Sequence, residues 1–183
     1  DLHQLIQDEF SGLDVLVCAN LPYYITSPVI MKLLEEKLPV ESLTVMVQKE
    51  AAVRICATPG TRACGAVSVA VQYYSQPQIL FDVPRDCFFP APNVDSAVIR
   101  LDIRKEAPVK LETEEKQFFK LVKAAFGQRR KTVLNSLNTG LGKSKEELST
   151  ALKQAGIAPT ARAEQLTMEQ FGVLCNLLFP NKI

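Results

Sequence analysis

The spacing of apolar residues changes kind partway along the chain, and that change limits what it can fold into. Up to about residue 106, short valine-rich runs alternate with stretches of helical spacing; from about residue 112 only helical spacing remains. "LDVLVCAN" (13–20) is a continuous apolar run, which suits a strand buried on both faces, as in parallel sheets. Residues 28–38 set Val29, Ile30, Leu33, Leu34 and Leu38 at helical spacing, with Ser27 as N-cap and Pro28 at the first helical position. "SLTVMVQ" (42–48) reads as a second parallel strand, and "KEAAVRICA" (49–57) as a helix stopped by Pro59-Gly60. "AVSVAVQYY" (66–74) fits a helix that leads into a strand in "QPQILFDV". "DSAVIRLDIR" (95–104) alternates like a strand with one wetter face. Alternation of strand and helix predicts an α/β fold with a parallel-type sheet.

Beyond the boundary stretch "RKEAPVKLE" (104–112) the chain predicts helices alone. "EEKQFFKLVKAAF" sets Phe118, Leu121, Val122 and Ala125 on one face. "KTVLNSL", "SKEELSTALKQA", "ARAEQL" and "TMEQFGVLCNLLF" follow, with Ser144 and Glu147 as a capping box and Thr167 as an N-cap. The expected division is a sheet domain over 1–108 and a small all-α domain over 109–183.

Composition narrows the function classes. The chain is 47% hydrophobic and 22% charged, as ordinary globular proteins are. No apolar run approaches a membrane span, so no membrane partner is expected. The first ten residues lack the basic-then-apolar order of a signal peptide. The five cysteines are widely spaced without a C-x-x-C pair, and His3 is the single histidine. Buried, reduced thiols in a cytoplasmic protein are expected, with no metal site. The net charge of +1 hides an asymmetry: residues 1–109 carry −4 and residues 110–183 carry +5. Residues 116–145 hold eight basic side chains and no acidic one. Lys116, Lys120 and Lys123 share one helix face, and with Arg129, Arg130 and Lys131 they form a candidate polyanion surface.

The strand at 13–20 runs into Asn20-Leu21-Pro22-Tyr23-Tyr24. In open α/β sheets, ligands bind beyond the carboxyl ends of the strands. Asn20 supplies an acceptor oxygen there, and Pro22 biases Leu21 toward an extended shape that leaves nearby carbonyls free. Two acceptors beside an aromatic face suit an amino-bearing base. A plain turn, with Asn capping the chain and the tyrosines in the core, is the alternative.

"NLPYYITSPVI" resembles the acceptor motif of the amino-methyltransferases, in the form carried by ribosomal RNA adenine N6-dimethyltransferases. "CFFPAPNVDSAVIRL" (87–101), "AAFGQRRKTVLNSL" (124–137) and "ARAEQLTMEQFGVL" resemble further segments of that family, in family order over nearly the whole chain. The resemblance implies a partial Rossmann-like class I methyltransferase sheet followed by a helical RNA-recognition domain. It also implies transfer of methyl groups from S-adenosylmethionine to N6 of two neighbouring adenosines in a small-subunit rRNA hairpin, within the 30S pre-ribosomal particle. By resemblance, Asn20, Leu21, Pro22 and Tyr23 are catalytic, and Asn20 and the backbone carbonyl around Pro22 accept from the N6 amine. Tyr23 stacks on the flipped adenine, Phe89 covers its other face, and Asn20 borders the cofactor. Tyr24 and Phe88 are assigned to the core, and Asp95 and Ser96 to the start of a strand. Arg129, Arg130 and Lys131, extended by Lys116, Lys120 and Lys123, contact rRNA; Lys49 and Glu50 are weaker candidates for the cleft.

The chain departs from the family in carrying no G-x-G-x-G loop and no starting methionine. The expectation is that about the first third of the enzyme is missing. The chain alone is then expected not to bind S-adenosylmethionine tightly or to turn over, and strand 13–19 to become an apolar edge open to self-association. A non-catalytic RNA-binding or ribosome-assembly module is the competing reading. A related mitochondrial transcription factor is less favoured, because no transit-like segment or basic tail is present.

Overall fold

A computed structural model describes residues 1–180. Two units are compact by themselves: Asp1–Cys56 with Ala70–Glu106, and Ala57–Val69 with the residues from Ala107 onward. The sequence reading grouped 57–69 with the sheet; in the structure this segment joins the helical unit.

In the first unit, β1 (Leu16–Asn20) pairs in parallel with β2 (Ser42–Gln48), setting Asn20 opposite Met46. β3 (Ser75–Val83) and β4 (Ser96–Ile103) form an antiparallel pair, and β4 also runs antiparallel to β2. The strand order is β1-β2-β4-β3. The parallel expectation therefore holds for β1 and β2 only. Between β3 and β4 the chain forms a short 3₁₀ turn, Arg85–Cys87, in place of the helical crossover that a parallel return needs.

Alternation along the strands sorts the two faces. Leu43, Val45 and Val47 of β2 and Ala97, Ile99 and Leu101 of β4 are buried. The opposite face is half open. Leu16 is 63% and Phe81 57% exposed, and Cys18 and Arg100 are also exposed. Strand 13–20 is thus not buried on both faces. β1 pairs with β2 alone among the described residues, which leaves its other edge unpaired.

Helix α1 (Leu2–Glu9), which the sequence reading did not foresee, is capped by the Asp1 carboxylate and buries no side chain. α2 (Thr26–Glu35) starts before the predicted Ser27 cap. The cause is local: the Pro22 carbonyl accepts from the Ile25 N–H and the Thr26 hydroxyl, closing a 3₁₀ turn (Tyr23–Ile25) that leads directly into the helix. α3 (Lys49–Ile55) packs against β2, β3 and β4, burying Ala52 and Ile55. α4 is Ala66–Tyr74.

In the second unit, α5 (Glu115–Ala125) packs on α6 (Val133–Leu141) and α8 (Met168–Leu178), and α7 (Lys145–Gln154) packs on α6 and α8. Phe118, Leu121, Val122 and Ala125 are buried, as their spacing predicted. Gly142, at φ 67°, ends α6 in the left-handed region that favours glycine. Thr167 and Gln170 form a complete capping box on α8. At α7 only half of the predicted box forms: the Ser144 hydroxyl accepts from the Glu147 N–H, but the Glu147 carboxylate is drawn to Lys143. "ARAEQL" supplies a single 3₁₀ turn, Ala163–Gln165, instead of a helix.

Candidate functional site

Beyond the carboxyl end of β1, two segments line an open cleft of about 400 Å³: Asn20, Leu21, Pro22 and Tyr23, and the loop residues Phe88, Phe89, Pro90 and Pro92. The sheet register brings them together. Asn20 lies opposite Met46 and Ser96 opposite Gln48, so the ends of β1 and β2 and the start of β4 meet at one edge.

The Tyr23 hydroxyl shares a hydrogen bond of 2.6 Å with the Ser96 hydroxyl. Ser96 is fully buried, so this contact anchors the phenol and fixes the ring that lines the cleft. The sequence reading gave Ser96 only the start of a strand. The two residues lie 73 positions apart, and only strand pairing puts them in reach.

The acceptors sort differently from expectation. The Pro22 carbonyl is already engaged by Ile25 and Thr26, so it is not free to face a ligand. The Leu21 carbonyl and the Asn20 side-chain amide make no hydrogen bond among the described residues. These two remain open at the cleft.

Of the aromatics, Phe89 is fully exposed and lines the cleft, and its peptide bond to Pro90 is cis. Phe88, assigned to the core by sequence, is half-buried and lines the cleft beside it. Tyr24, also assigned to the core, is 86% exposed and lies outside the lining. It follows Tyr23 within the 3₁₀ turn, and that turn carries successive side chains in different directions.

Lys49 and Glu50 do not line the cleft. The Lys49 ammonium donates to the Asp82 carboxylate at 2.6 Å, and this bond raises the lysine pKa. The Lys49 N–H donates to the Asp95 carbonyl, and the Asp95 carboxylate accepts from the Arg85 N–H at 3.0 Å. Asp95 therefore ties the end of β2 to the loop that carries Phe88 and Phe89.

In the helical unit, Lys116, Lys120 and Lys123 are exposed on α5, and Arg129, Arg130 and Lys131 are exposed on the turn between α5 and α6. None of the six makes an ion pair among the described residues. The turn is held from inside: the Gln128 carbonyl accepts from the Lys131 N–H, and Thr132 caps α6. These bonds pin the two ends of the turn while its three cations are exposed.

All five cysteines are free, but Cys18 and Cys87 are exposed, against the expectation of uniformly buried thiols. Burial raises Cys56, Cys64 and Cys175 to about 11. Among the described residues, no helix is long and apolar enough to cross a membrane.

Residues 5–179 match the family described as ribosomal RNA adenine dimethylase. The chain is 55% identical to a ribosomal RNA small subunit methyltransferase A from Alkaliphilus oremlandii, over 97% of this chain and 62% of that protein. It is 51% identical to the protein of the same name from Geobacillus sp., again over 97% of this chain and 62% of the relative. The chain thus spans about 62% of the length of these curated relatives. A crystal structure of a dimethyladenosine transferase from Plasmodium falciparum superposes with a TM-score of 0.71 at 25% identity, covering 92% of this chain and 68% of that one. The 23S rRNA methyltransferase ErmE shares the fold, with a TM-score of 0.65 at 24% identity over 97% of this chain and 78% of that one.

Proposed function

Because this chain belongs to the ribosomal RNA adenine dimethylase family, we propose that its cleft holds the acceptor adenine during N6-dimethylation of small-subunit rRNA in the cytoplasm. The observation that carries this reading is the pair of open acceptors, the Asn20 amide oxygen and the Leu21 carbonyl, beside the anchored ring of Tyr23. An adenine N6 amine offers two N–H donors to them. Both hydrogen bonds draw the nitrogen out of conjugation with the ring and aim its lone pair outward. Tyr23 stacks on one face of the base, and Phe89, with Phe88 beside it, covers the other. The base must leave its helix to reach the cleft. These residues position the nucleophile, which can supply much of the barrier reduction.

The family resemblance implies S-adenosylmethionine as the donor of an electrophilic methyl group. The cleft lining holds no charged side chain for the ribose or the amino-acid end of that molecule. The lining residues suit the base, and the groups that would hold the cofactor's ribose and amino-acid end are not among them. Arg129, Arg130 and Lys131, with the α5 lysines, hold rRNA phosphates of the 30S pre-ribosomal particle, which positions the RNA without reading its sequence. The unpaired edge of β1 gives a route to self-association, which light scattering at rising concentration would show.

The second reading, an RNA-binding assembly module without turnover, rests on the six exposed cations of the helical unit, which make no ion pair among the described residues. Labelled methyl transfer from S-adenosylmethionine to small-subunit rRNA by the full-length enzyme that carries these residues, measured with RNA affinity, separates the two. Under the first reading Asn20→Ala abolishes transfer and spares affinity. Replacing Arg129 and Arg130 by Ala weakens affinity and flattens its salt dependence by about 0.7 to 0.9 in log–log slope per lost phosphate contact. Affinity without transfer supports the module. If neither Asn20→Ala nor the Arg129 and Arg130 replacement changes anything, both site assignments fail.

A further inference from the structure

The cleft reading leaves two exposed side chains beside it without a task. Tyr24 follows the lining residue Tyr23 in sequence, and Arg85 precedes the lining residues Phe88 and Phe89 by three and four positions. A tyrosine that is 86% exposed forgoes the burial that usually repays an aromatic, and its hydroxyl has no partner among the described residues. Its backbone is nevertheless fixed, because the Pro22 carbonyl closes the turn from two donors. The ring is held out on a fixed turn and makes no ring contact or hydrogen bond among the described residues.

Among the described residues of its unit, Arg85 and Lys105 are the cations whose side chains have no partner, and Lys105 lies past the end of β4 opposite to Ser96. Lys32, Lys49 and Arg100 are in ion pairs with Glu36, Asp82 and Asp102, and Arg104 donates to the carbonyls of Gln72 and Ser75. The Arg85 guanidinium is exposed and has no ion pair among the described residues. Its backbone, too, is fixed, by the N–H bond to Asp95 and by the Phe88 N–H that its carbonyl accepts. It presents a free positive charge beside the cleft in a part of the chain that is net negative: residues 1–109 carry −4.

Extruding one base from a strand leaves its two neighbours to be held. A neighbouring base needs a flat apolar face, and the phosphate linking it to the extruded nucleotide needs a cation. We infer that Tyr24 and Arg85 form a clamp on the RNA strand flanking the extruded adenosine, with Tyr24 stacking on the adjacent base and Arg85 holding a phosphate beside it. The clamp rests on the reading of the cleft as an adenine site. It deepens that reading by fixing what the enzyme holds outside the pocket. A substrate with two neighbouring target adenosines gives Tyr24 a purine to stack on while its neighbour reacts.

The test uses the 183-residue chain and single-stranded RNA heptamers containing two adjacent adenosines. 2-Aminopurine replaces either the target or a flanking nucleotide, and its emission is quenched when it stacks. At a flanking position, the clamp predicts quenching by the wild-type chain that is lost in Tyr24→Ala and kept in Tyr24→Phe. Affinity should fall about fivefold or more in Tyr24→Ala, the lower end of one base–aromatic stack. Arg85→Gln should keep the quenching at saturation but flatten the salt dependence by about 0.7, one phosphate on a single strand. Quenching at the target position that Asn20→Ala abolishes tests the cleft reading separately. Target quenching with no Tyr24-dependent response at either flanking position overturns the clamp alone. No response at any position overturns the clamp together with the reading beneath it.

Discussion

The hydrogen bond between Tyr23 and Ser96 makes an asymmetric prediction. Ser96 is fully buried, whereas Tyr23 is half-buried and borders an open cleft. Tyr23→Phe strands a buried hydroxyl and should cost about 2 kcal/mol, within the range of about 1 to 3 for an unsatisfied buried group. Ser96→Ala leaves the phenol able to turn toward water in the cleft, so only the net bond is lost, about 1 kcal/mol. The double variant removes both partners and should cost about 1 to 2 kcal/mol less than the sum of the singles. The chain offers a selective probe for this cycle. It has no tryptophan, and its four tyrosines, at 23, 24, 73 and 74, all lie in the sheet-bearing unit. Urea unfolding followed by tyrosine emission therefore reports that unit. With a slope near 2 kcal/mol per molar, Tyr23→Phe should lower the midpoint by about 1 M and Ser96→Ala by about half that. Additive costs, or a Tyr23→Phe midpoint equal to that of the wild type, would refute the claim that this bond anchors the ring.

Two further outcomes follow from packing and burial. A methyl group added at Gly140 would lie 2.6 Å from the Ala124 Cβ and 3.0 Å from its Cα. Gly140→Ala gains up to about 1 kcal/mol of helix propensity but forces α6 away from α5 at a typical cost of about 1 to 3. Thermal unfolding followed by circular dichroism should therefore fall by several degrees and recover in the pair Gly140→Ala, Ala124→Gly. Among the thiols, Cys18 and Cys87 should react rapidly with a disulfide reagent at pH 8, while Cys56, Cys64 and Cys175 lag. Burial raises those three from 9.0 to about 11, above their unfolded value. Their contribution to stability is complete below pH 9 and is lost as pH rises toward 11. A pH titration of the urea midpoint that stays flat across that window would contradict the assignment.

What could be read from the sequence was local. The buried stripe of α5 and the Thr167 cap declare themselves within a turn or two of helix. The run Asn20–Tyr23 declares itself by ending a strand. The antiparallel entry of β4, by contrast, depends on pairing between segments some 50 residues apart. So does the reach of Ser96 to Tyr23. The unpaired edge of β1 was legible only through the resemblance, which left the strand without one neighbour; the run itself gave no sign, because valine-rich runs look alike in central and outer strands. Local logic also misled at Pro22. Proline freed its own nitrogen from bonding, but Ile25 and Thr26, three and four residues on, claimed its carbonyl. The carbonyl left open at the cleft is one residue back, at Leu21. Tyr24 was misread because a tyrosine beside apolar residues ordinarily enters a core.

The segment Ala57–Val69 has a consequence for modularity. It is flanked in sequence by the sheet-bearing unit but belongs to the helical one, so the chain changes unit at residues 56/57, 69/70 and 106/107. A single cut near residue 106 therefore cannot release an intact helical body, because Cys64, Ser68 and Val69, all buried, depart with the other fragment. The two halves are not interchangeable cassettes. A graft of the helical unit onto another sheet would have to carry an inserted loop with it, and recombination between relatives at the apparent linker would leave both products incomplete.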